Sequence, residues 1–307
     1  MHPAWSVIFF TTLIGWAQGL VVALSVGTLG GRPPTRELLL AGLSVATVLS
    51  TAGLGCSFLH LGRPERAWRS VMMWRTSWLS REVIVVPAFI GWIALWLVLE
   101  SNQRSTIVFP LIAIGLALLL WLCTAMIYAC LKFIREWSHP LTFANYVLLG
   151  LGSGMLLTAA LAVVAGDSRY AIACSQWGVA LTALALVVRS ASLIRNARLR
   201  PVSTLQSATG IRAPQLKQMS MGMSAGAFNT REFFHGKSLG FVRYAKVSFV
   251  ALAFVLPIAL VLISITAQSG IALFVAVAVQ YLGLLGERWY FFAEARHPQN
   301  LYYQVIG

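Results

Sequence analysis

The sequence predicts an all-α integral membrane protein with eight transmembrane helices. Hydrophobic residues make up 58% of the chain, charged residues only 10%, and the mean hydropathy is +0.78, whereas soluble domains carry about 25% charged residues. A net charge of +14 would suggest nucleic-acid binding in a soluble chain, but here the basic residues lie in the gaps between apolar runs. We interpret them as topology signals and predict membrane lipid, not nucleic acid, as the surroundings.

Eight apolar runs are long enough to cross a bilayer, which takes about 20 helical residues because lipid offers no hydrogen-bond partner to an open backbone. In chain order they cover about 5–28, 37–60, 82–100, 107–131, 140–165, 170–194, 244–267 and 270–292. The first lacks a basic n-region and an A-x-A-like cleavage site, so we predict a retained helix rather than a signal peptide. The break TAQSG between the last two predicts a tight helical hairpin.

Eight spans place both termini on one face of the membrane. We call this face, where the first run begins and the last run ends, the terminal face. Of the 23 Lys and Arg residues, 19 lie on the terminal face, among them Arg189 and Arg288, and four lie on the other face. Since translocation of Lys and Arg is disfavoured, the terminal face is predicted to be cytoplasmic, in the inner membrane of a bacterium with soluble partners on the cytoplasmic side.

We predict one eight-helix membrane domain over residues 1–307. Its one long polar segment, roughly 195–243, is rich in Ser, Gln, Met, Gly and Arg and has no clear apolar periodicity. Two interpretations stay open for this segment: a docking surface for a soluble partner, or a mobile linker.

The stretch SFLHLGRPERAWRSVMMWRTSWLSRE, residues 57–82, holds one His, five Arg and two Glu between two apolar runs. His60 ends the second run and Glu82 begins the third, at a depth where an ionisable residue is costly unless it is paired or functional. If the third helix begins near residue 73, Trp74, Trp78 and Glu82 share one side of it and form an aromatic wall beside a carboxylate. The alternative is an interfacial belt of tryptophans with Glu82 paired to an arginine.

Several other ionisable residues share this membrane depth, and they predict either a functional site or a lattice of ion pairs between helices. They are Tyr128, Lys132, His139, Glu287 and Arg288. The chemistry that suits such a site is two-electron, two-proton exchange with a quinone, either ubiquinone or menaquinone. The quinone tail partitions into lipid, its carbonyl oxygens need hydrogen-bond donors, and His60 and Glu82 could exchange its protons with water.

A haem group would need histidines that face each other within the spans. The histidines are His2, His60, His139, His235 and His297, and only His60 ends a span. The four cysteines show no C-x-x-C spacing. We therefore predict no haem, no iron–sulfur cluster and no metal site in this chain.

Four separated motifs occur in order and cover the chain almost end to end: HPAWSVIFFTTL, HLGRPERAW followed by WRTSWLSRE, AMIYACLKFIREWSHPLT, and GERWYFFAEARHPQNLYYQ. Together they resemble the membrane-anchor subunit of the dimethyl sulfoxide reductase family. The resemblance implies an eight-helix anchor without haem that holds a molybdopterin catalytic subunit and a four-cluster iron–sulfur subunit at the membrane. Such an anchor exchanges electrons with quinone, so the chain would carry the quinone site of an oxidoreductase complex but not its catalytic centre.

The resemblance also assigns residues to the quinone site. The quinol-site histidine of the family corresponds to His60, and the carboxylate that starts its next span corresponds to Glu82. With the residues of the same stretch, the predicted quinone and proton-exchange set is His60, Glu82, Arg63, Arg81, Trp74 and Trp78, with Arg66 and Tyr128 as supports. Family members similar to this chain carry SGAGYGL where it has IGWAQGL, so Trp16 and Gln18 should alter ring or tail specificity if this stretch lines the quinone channel.

A cytoplasmic docking face is similar to that of the cytoplasmic sulfite-oxidising complexes, whose anchor belongs to this family. The favoured reaction is therefore sulfite oxidation with quinone reduction. The alternatives are a quinol-oxidising anchor of a sulfoxide-type terminal reductase, a purely structural anchor, and a transporter. A transporter should carry ionisable or helix-breaking residues in mid-span, and the sequence has few.

Overall fold

Eight long helices form the protein in the computed structural model, which describes residues 4–59, 61–200, 204–214, 216 and 237–296. They are α1 (Trp5–Leu29), α2 (Arg36–Phe58), α3 (Trp78–Ser101), α4 (Val108–Ala129), α5 (Pro140–Val164), α6 (Ser168–Ala197), α7 (239–267) and α8 (Gly270–Ala293). Helix α7 joins Leu239–Val250, a π-helical turn Ala251–Val255 and Leu256–Ala267. All eight are long and apolar enough to cross a membrane, and the described residues contain no strand. The predicted fold class is confirmed.

Polar residues set the points at which several helices begin. The side chains of Thr35, Ser77 and Asp167 each accept a hydrogen bond from a backbone N–H in the first turn of α2, α3 and α6. The imidazole of His139 does the same for α5, where Pro140 occupies the first helical position. These caps satisfy backbone donors that a helix start leaves open, a need that is acute next to lipid.

The start of α3 corrects one prediction. Ser77 caps the helix, so α3 begins at Trp78 rather than near residue 73, and a separate 3₁₀ helix covers Pro64–Met73. Trp74 ends that 3₁₀ helix and is not part of α3. The predicted wall of two tryptophans on one side of α3 beside Glu82 is therefore wrong.

The polar segment between α6 and α7 is shorter than the predicted range 195–243. Helix α6 continues to Ala197 and α7 begins at Leu239. Inside the segment, a five-residue helix, Leu205–Thr209, begins with a capping box between Thr204 and Ser207. Most of the remaining segment lies outside the described residues, so its role as a docking surface or a linker stays a prediction.

Helix α1 lies at the centre of the bundle and packs against α2, α4, α5 and α8. Its contact with α5 is a contact of backbones: a Cβ atom on Gly154 would lie 2.2 Å from the carbonyl carbon of Gly19. Small residues permit this approach in membrane bundles, where helix association depends on close packing. Helices α7 and α8 meet in the same way, since a Cβ on Gly283 would lie 2.1 Å from the Ala253 nitrogen.

Candidate functional site at the terminal face

A cavity lies between α1, α4, α5 and α8, in the half of the bundle nearest the terminal face. Its volume is ≈ 30 Å³, which is room for about two water molecules. Among its lining residues with polar groups are Trp16, Gln18, Trp121, Thr124, Tyr146 and Arg288. They come from α1, α4, α5 and α8.

Glu82 lies behind one wall of this cavity. Its side chain is buried, and its carboxyl accepts a hydrogen bond from the hydroxyl of Thr124, which lines the cavity. Over the ranges that the structure covers, no Lys or Arg side chain forms an ion pair with Glu82. A buried carboxyl without a cation, linked to a cavity through one hydroxyl, can hold a proton and exchange it with a bound molecule.

Arg81 contacts the turn before α3 and the first residue of α3, and it does not form an ion pair with Glu82. Its guanidinium lies 4.2 Å from the ring centroid of Trp78. It also donates hydrogen bonds of 2.9 Å to the backbone carbonyls of Trp74 and Arg75. These contacts hold the turn before α3 against its first residues, and they place Arg81 and Trp78 beside Glu82 rather than in the cavity wall.

The other predicted site residues lie apart from the cavity. Trp74, Arg63 and Arg66 are exposed in the stretch between α2 and α3. Tyr128 is half-buried at the end of α4 and packs parallel to the cavity residue Tyr146, with ring centroids 6.1 Å apart. His60 lies outside the described residues.

The two departures from the family pattern in α1 both line the cavity. The indole N–H of Trp16 donates to the Ser153 carbonyl at 3.1 Å, and its ring stacks on Tyr281 with centroids 4.6 Å apart. The amide of Gln18 donates to the Ala117 carbonyl at 2.9 Å. The structure thus places this stretch at the cavity, and its effect on ring or tail specificity remains a prediction.

A buried cluster of charges joins α6 to α8 and reaches the cavity through Arg288. We call its members, Arg189, Glu287, Arg288 and Glu294, the buried ion cluster. Glu287 is fully buried, with Arg189 Nε at 2.7 Å and Arg288 Nε at 2.6 Å from its carboxylate oxygens. Arg189 Nη1 also lies 3.3 Å from Glu294, whose carboxylate accepts a 3.2 Å hydrogen bond from Asn196. Two cations and two carboxylates make this cluster neutral.

The sequence predicts only part of this cluster. The end of the last apolar run gives the correct depth for Glu287 and Arg288, and it also predicts ion pairs between helices. Arg189 enters the sequence argument only as a topology signal, although it is 2% exposed. Its spacing from the end of α6, two helical turns before Ala197, is the available sign that it lies inside the membrane rather than at its surface.

Arg288 connects the buried ion cluster to the cavity. Its guanidinium lies 4.2 Å from the ring centroid of Tyr146 and 5.0 Å from that of Phe291. Arg288 Nη1 and the Tyr146 hydroxyl are neighbours, yet neither completes a well-oriented hydrogen bond within the described part of the chain. The indole N–H of Trp121 is likewise buried without an acceptor among those residues.

The arrangement therefore offers hydrogen-bond donors to whatever occupies the cavity, with an exchangeable carboxyl, that of Glu82, behind Thr124. Buried donors that lack partners are rare in proteins, and they are satisfied when an acceptor binds. No group of three or more His, Cys, Asp or Glu residues among the described positions is placed to hold a metal ion.

Fold and site define a multi-pass membrane protein with a cavity of mixed apolar and polar lining near one membrane surface. Residues 1–221 match the family described as DMSO reductase anchor subunit (DmsC). The chain is also 45% identical, over 328 aligned positions that cover both chains completely, to the C subunit of the sulfite dehydrogenase of Allochromatium vinosum. The protein belongs to the DMSO reductase anchor subunit family, which confirms the resemblance inferred from its motifs. It is thus a membrane anchor subunit of a DMSO reductase-type complex.

Proposed function

We propose that this protein is the quinone-reactive anchor of a molybdenum and iron–sulfur complex that oxidises sulfite. The observation that carries the proposal is the cavity, which is lined by Thr124, the hydrogen-bond partner of Glu82, and by the buried donors of Trp121, Tyr146 and Arg288, none of which completes a well-oriented hydrogen bond among the described residues. Full-length similarity to one of the subunits of a sulfite dehydrogenase supports sulfite as the substrate of the catalytic partner. The molybdopterin subunit and a four-cluster iron–sulfur subunit are the proposed partners.

In this proposal, sulfite oxidation in the catalytic partner releases two electrons, which the iron–sulfur partner delivers to a quinone in the cavity. The quinone takes up these two electrons and two protons and leaves as quinol. Thr124 and Glu82 pass a proton between one ring oxygen and water at the terminal face, with His60 as the predicted second exchanger. Because the cavity holds only about two water molecules, ring entry requires displacement of a lining side chain.

We propose that the terminal face is the cytoplasmic face of a bacterial inner membrane, and that the partners dock there. The excess of Lys and Arg on this face supports the orientation. Electrons then enter on the same side of the membrane as the cavity, because the exposed arginines of 61–77 and the cavity both lie at the terminal face.

The decisive experiment replaces Glu82 by Gln in the intact complex. We expect quinone-linked sulfite oxidation to fall about 100-fold, as for loss of a proton-transfer group, while sulfite oxidation with an artificial electron acceptor stays unchanged. His60→Ala should behave in the same way. Glu37→Gln is the matched control, because Glu37 is an exposed carboxylate in the first turn of α2 at the opposite face. Full quinone-linked activity in both site variants would leave the chain a structural anchor, and failed assembly would mark the residues as structural.

The name of the family favours a second candidate, in which the same site oxidises quinol for a sulfoxide-type reductase. Gentle purification of the tagged chain, with identification of the subunits that accompany it, separates the two. A catalytic partner without an export signal supports cytoplasmic sulfite oxidation. A twin-arginine signal on that partner supports the exported reductase.

A further inference from the structure

We propose that Arg288 provides a second hydrogen-bonding contact to the quinone ring, besides the one made by Thr124 and Glu82. It donates a hydrogen bond to the ring oxygen opposite the one that exchanges its proton with Thr124 and Glu82, and Glu287, itself held by Arg189, is the positioning residue that aims it. This inference rests on the proposed quinone function and deepens it.

The guanidinium of Arg288 is held on several sides. Nε lies 2.6 Å from Glu287, the Tyr146 ring packs against one surface of the guanidinium at 4.2 Å, and Phe291 adds a contact at 5.0 Å. The side chain is only 4% exposed. The Nη1 atom of Arg288 is a buried donor that has no well-oriented acceptor among the described residues. Arg288 lines the cavity. An acceptor oxygen in the cavity would complete its hydrogen bonding.

The charge balance around Arg288 favours a neutral acceptor over a free anion. Arg189 and Arg288 are already matched by Glu287 and Glu294, so a full negative charge is not needed to neutralise the cluster. A quinone carbonyl is neutral when it binds and gains negative charge as electrons arrive. A fixed cation beside that oxygen stabilises the charge that develops there, and arginine keeps its own proton. Both protons of the reaction must then come from other groups, of which Glu82 is one.

Glu287 is the group that can aim Arg288, because it contacts both arginines at once. It precedes Arg288 in α8, so the two side chains leave the helix about 100° apart, with Glu287 directed at Arg189 of α6. Arg189 also reaches Glu294, but Glu287 is the fully buried carboxylate that Arg189 and Arg288 share. Without it, two buried cations would face each other and the Arg288 guanidinium would lose its fixed direction.

The test uses the intact complex and a short-chain ubiquinone as the probe. We expect Arg288→Gln to raise the KM for the quinone at least tenfold, with unchanged sulfite oxidation by an artificial acceptor. Glu287→Gln should raise this KM severalfold, and Glu287→Asp, which restores the carboxylate, should recover part of it. Arg32→Gln is the matched control, since Arg32 is an exposed arginine at the opposite face. Equilibrium binding of labelled quinone to the oxidised complex should weaken in parallel with the rise in KM.

An unchanged quinone KM in Arg288→Gln, together with loss of quinone turnover in Glu82→Gln, would overturn the role of Arg288 and leave the proposed function standing. Unchanged quinone kinetics in both variants would overturn both. If the complex with Arg288→Gln fails to assemble, Arg288→Lys is the variant that tests the role of Arg288. Lysine keeps the charge but lacks the planar guanidinium, whose separate N–H groups can reach Glu287 and the ring oxygen at the same time. An unchanged KM in that variant would also overturn the inference.

Discussion

Two regions at the terminal face concentrate arginine, and they differ in almost every physical respect. In the stretch 61–77, Arg66 and Glu65 lie 3.9 Å apart with side chains 52% and 66% exposed. In the buried ion cluster, Arg189 and Glu287 lie 2.7 Å apart with side chains 2% and 0% exposed. Water screens the first pair, so it contributes little to stability, whereas the second pair cannot lose one member without leaving a buried charge. The distribution of charged residues along the sequence indicates membrane topology. Their burial in the structure shows which of them stabilise the fold.

The largest effect on stability is expected when the buried ion cluster loses one of its carboxylates. Glu287→Ala leaves Arg189 and Arg288 without their shared carboxylate, and we expect the free energy of unfolding to fall by roughly 3–5 kcal/mol. Thermal unfolding in detergent measures this loss. The matched change in the exposed region, Glu65→Ala, should shift the unfolding free energy by less than about 1 kcal/mol. Equal losses in the two variants would contradict the contrast between the regions.

An intermediate effect is expected at Thr124, which lines the cavity on α4. Thr124→Val keeps the shape of the side chain but removes the hydroxyl that links Glu82 to the cavity. We expect quinone-linked turnover to fall roughly tenfold, the value of one hydrogen bond of about 1.4 kcal/mol, without loss of assembly. Thr47→Val is the control, because among the described residues the Thr47 hydroxyl bonds to the Leu43 carbonyl of its own helix and to no other residue. Full activity in Thr124→Val would show that protons reach the cavity by another route.

The smallest effect on stability is expected in the exposed region. Replacing Arg63, Arg66, Arg69 and Arg75 together by Gln should change the unfolding free energy by less than about 0.5 kcal/mol per site. The same variant should bind its iron–sulfur partner more weakly and with less dependence on salt, because rim charges act through screened attraction. Co-purification of the partner over a series of salt concentrations measures this. Arg32→Gln with Arg169→Gln, two exposed changes at the opposite face, should leave partner binding unaltered, and a similar loss in this control would contradict a docking role.

Prediction from the sequence succeeded where the requirement was local. The eight spans follow from apolar runs, and the location of Glu82 near the start of the third span follows from the same pattern, while its role in quinone chemistry stays a prediction. The partner of Glu82 could not be predicted in this way, since Thr124 is an uncharged residue inside the apolar run of another helix. The predicted wall of Trp74 and Trp78 was wrong because Ser77 caps the helix, so that α3 begins at Trp78. A hydropathy pattern does not indicate such a cap.

The sequence by itself determined the number of spans and the common face of their charged ends, because lipid forces each segment to satisfy its own backbone hydrogen bonds within one helix. The tertiary structure decided which of those ends meet. Arg189 lies 98 positions before Glu287 along the chain, yet the packing of α6 on α8 brings them to 2.7 Å. The rotation of each helix about its axis depends on contacts such as Gly19 with Gly154, and those contacts exist only when the whole bundle is assembled.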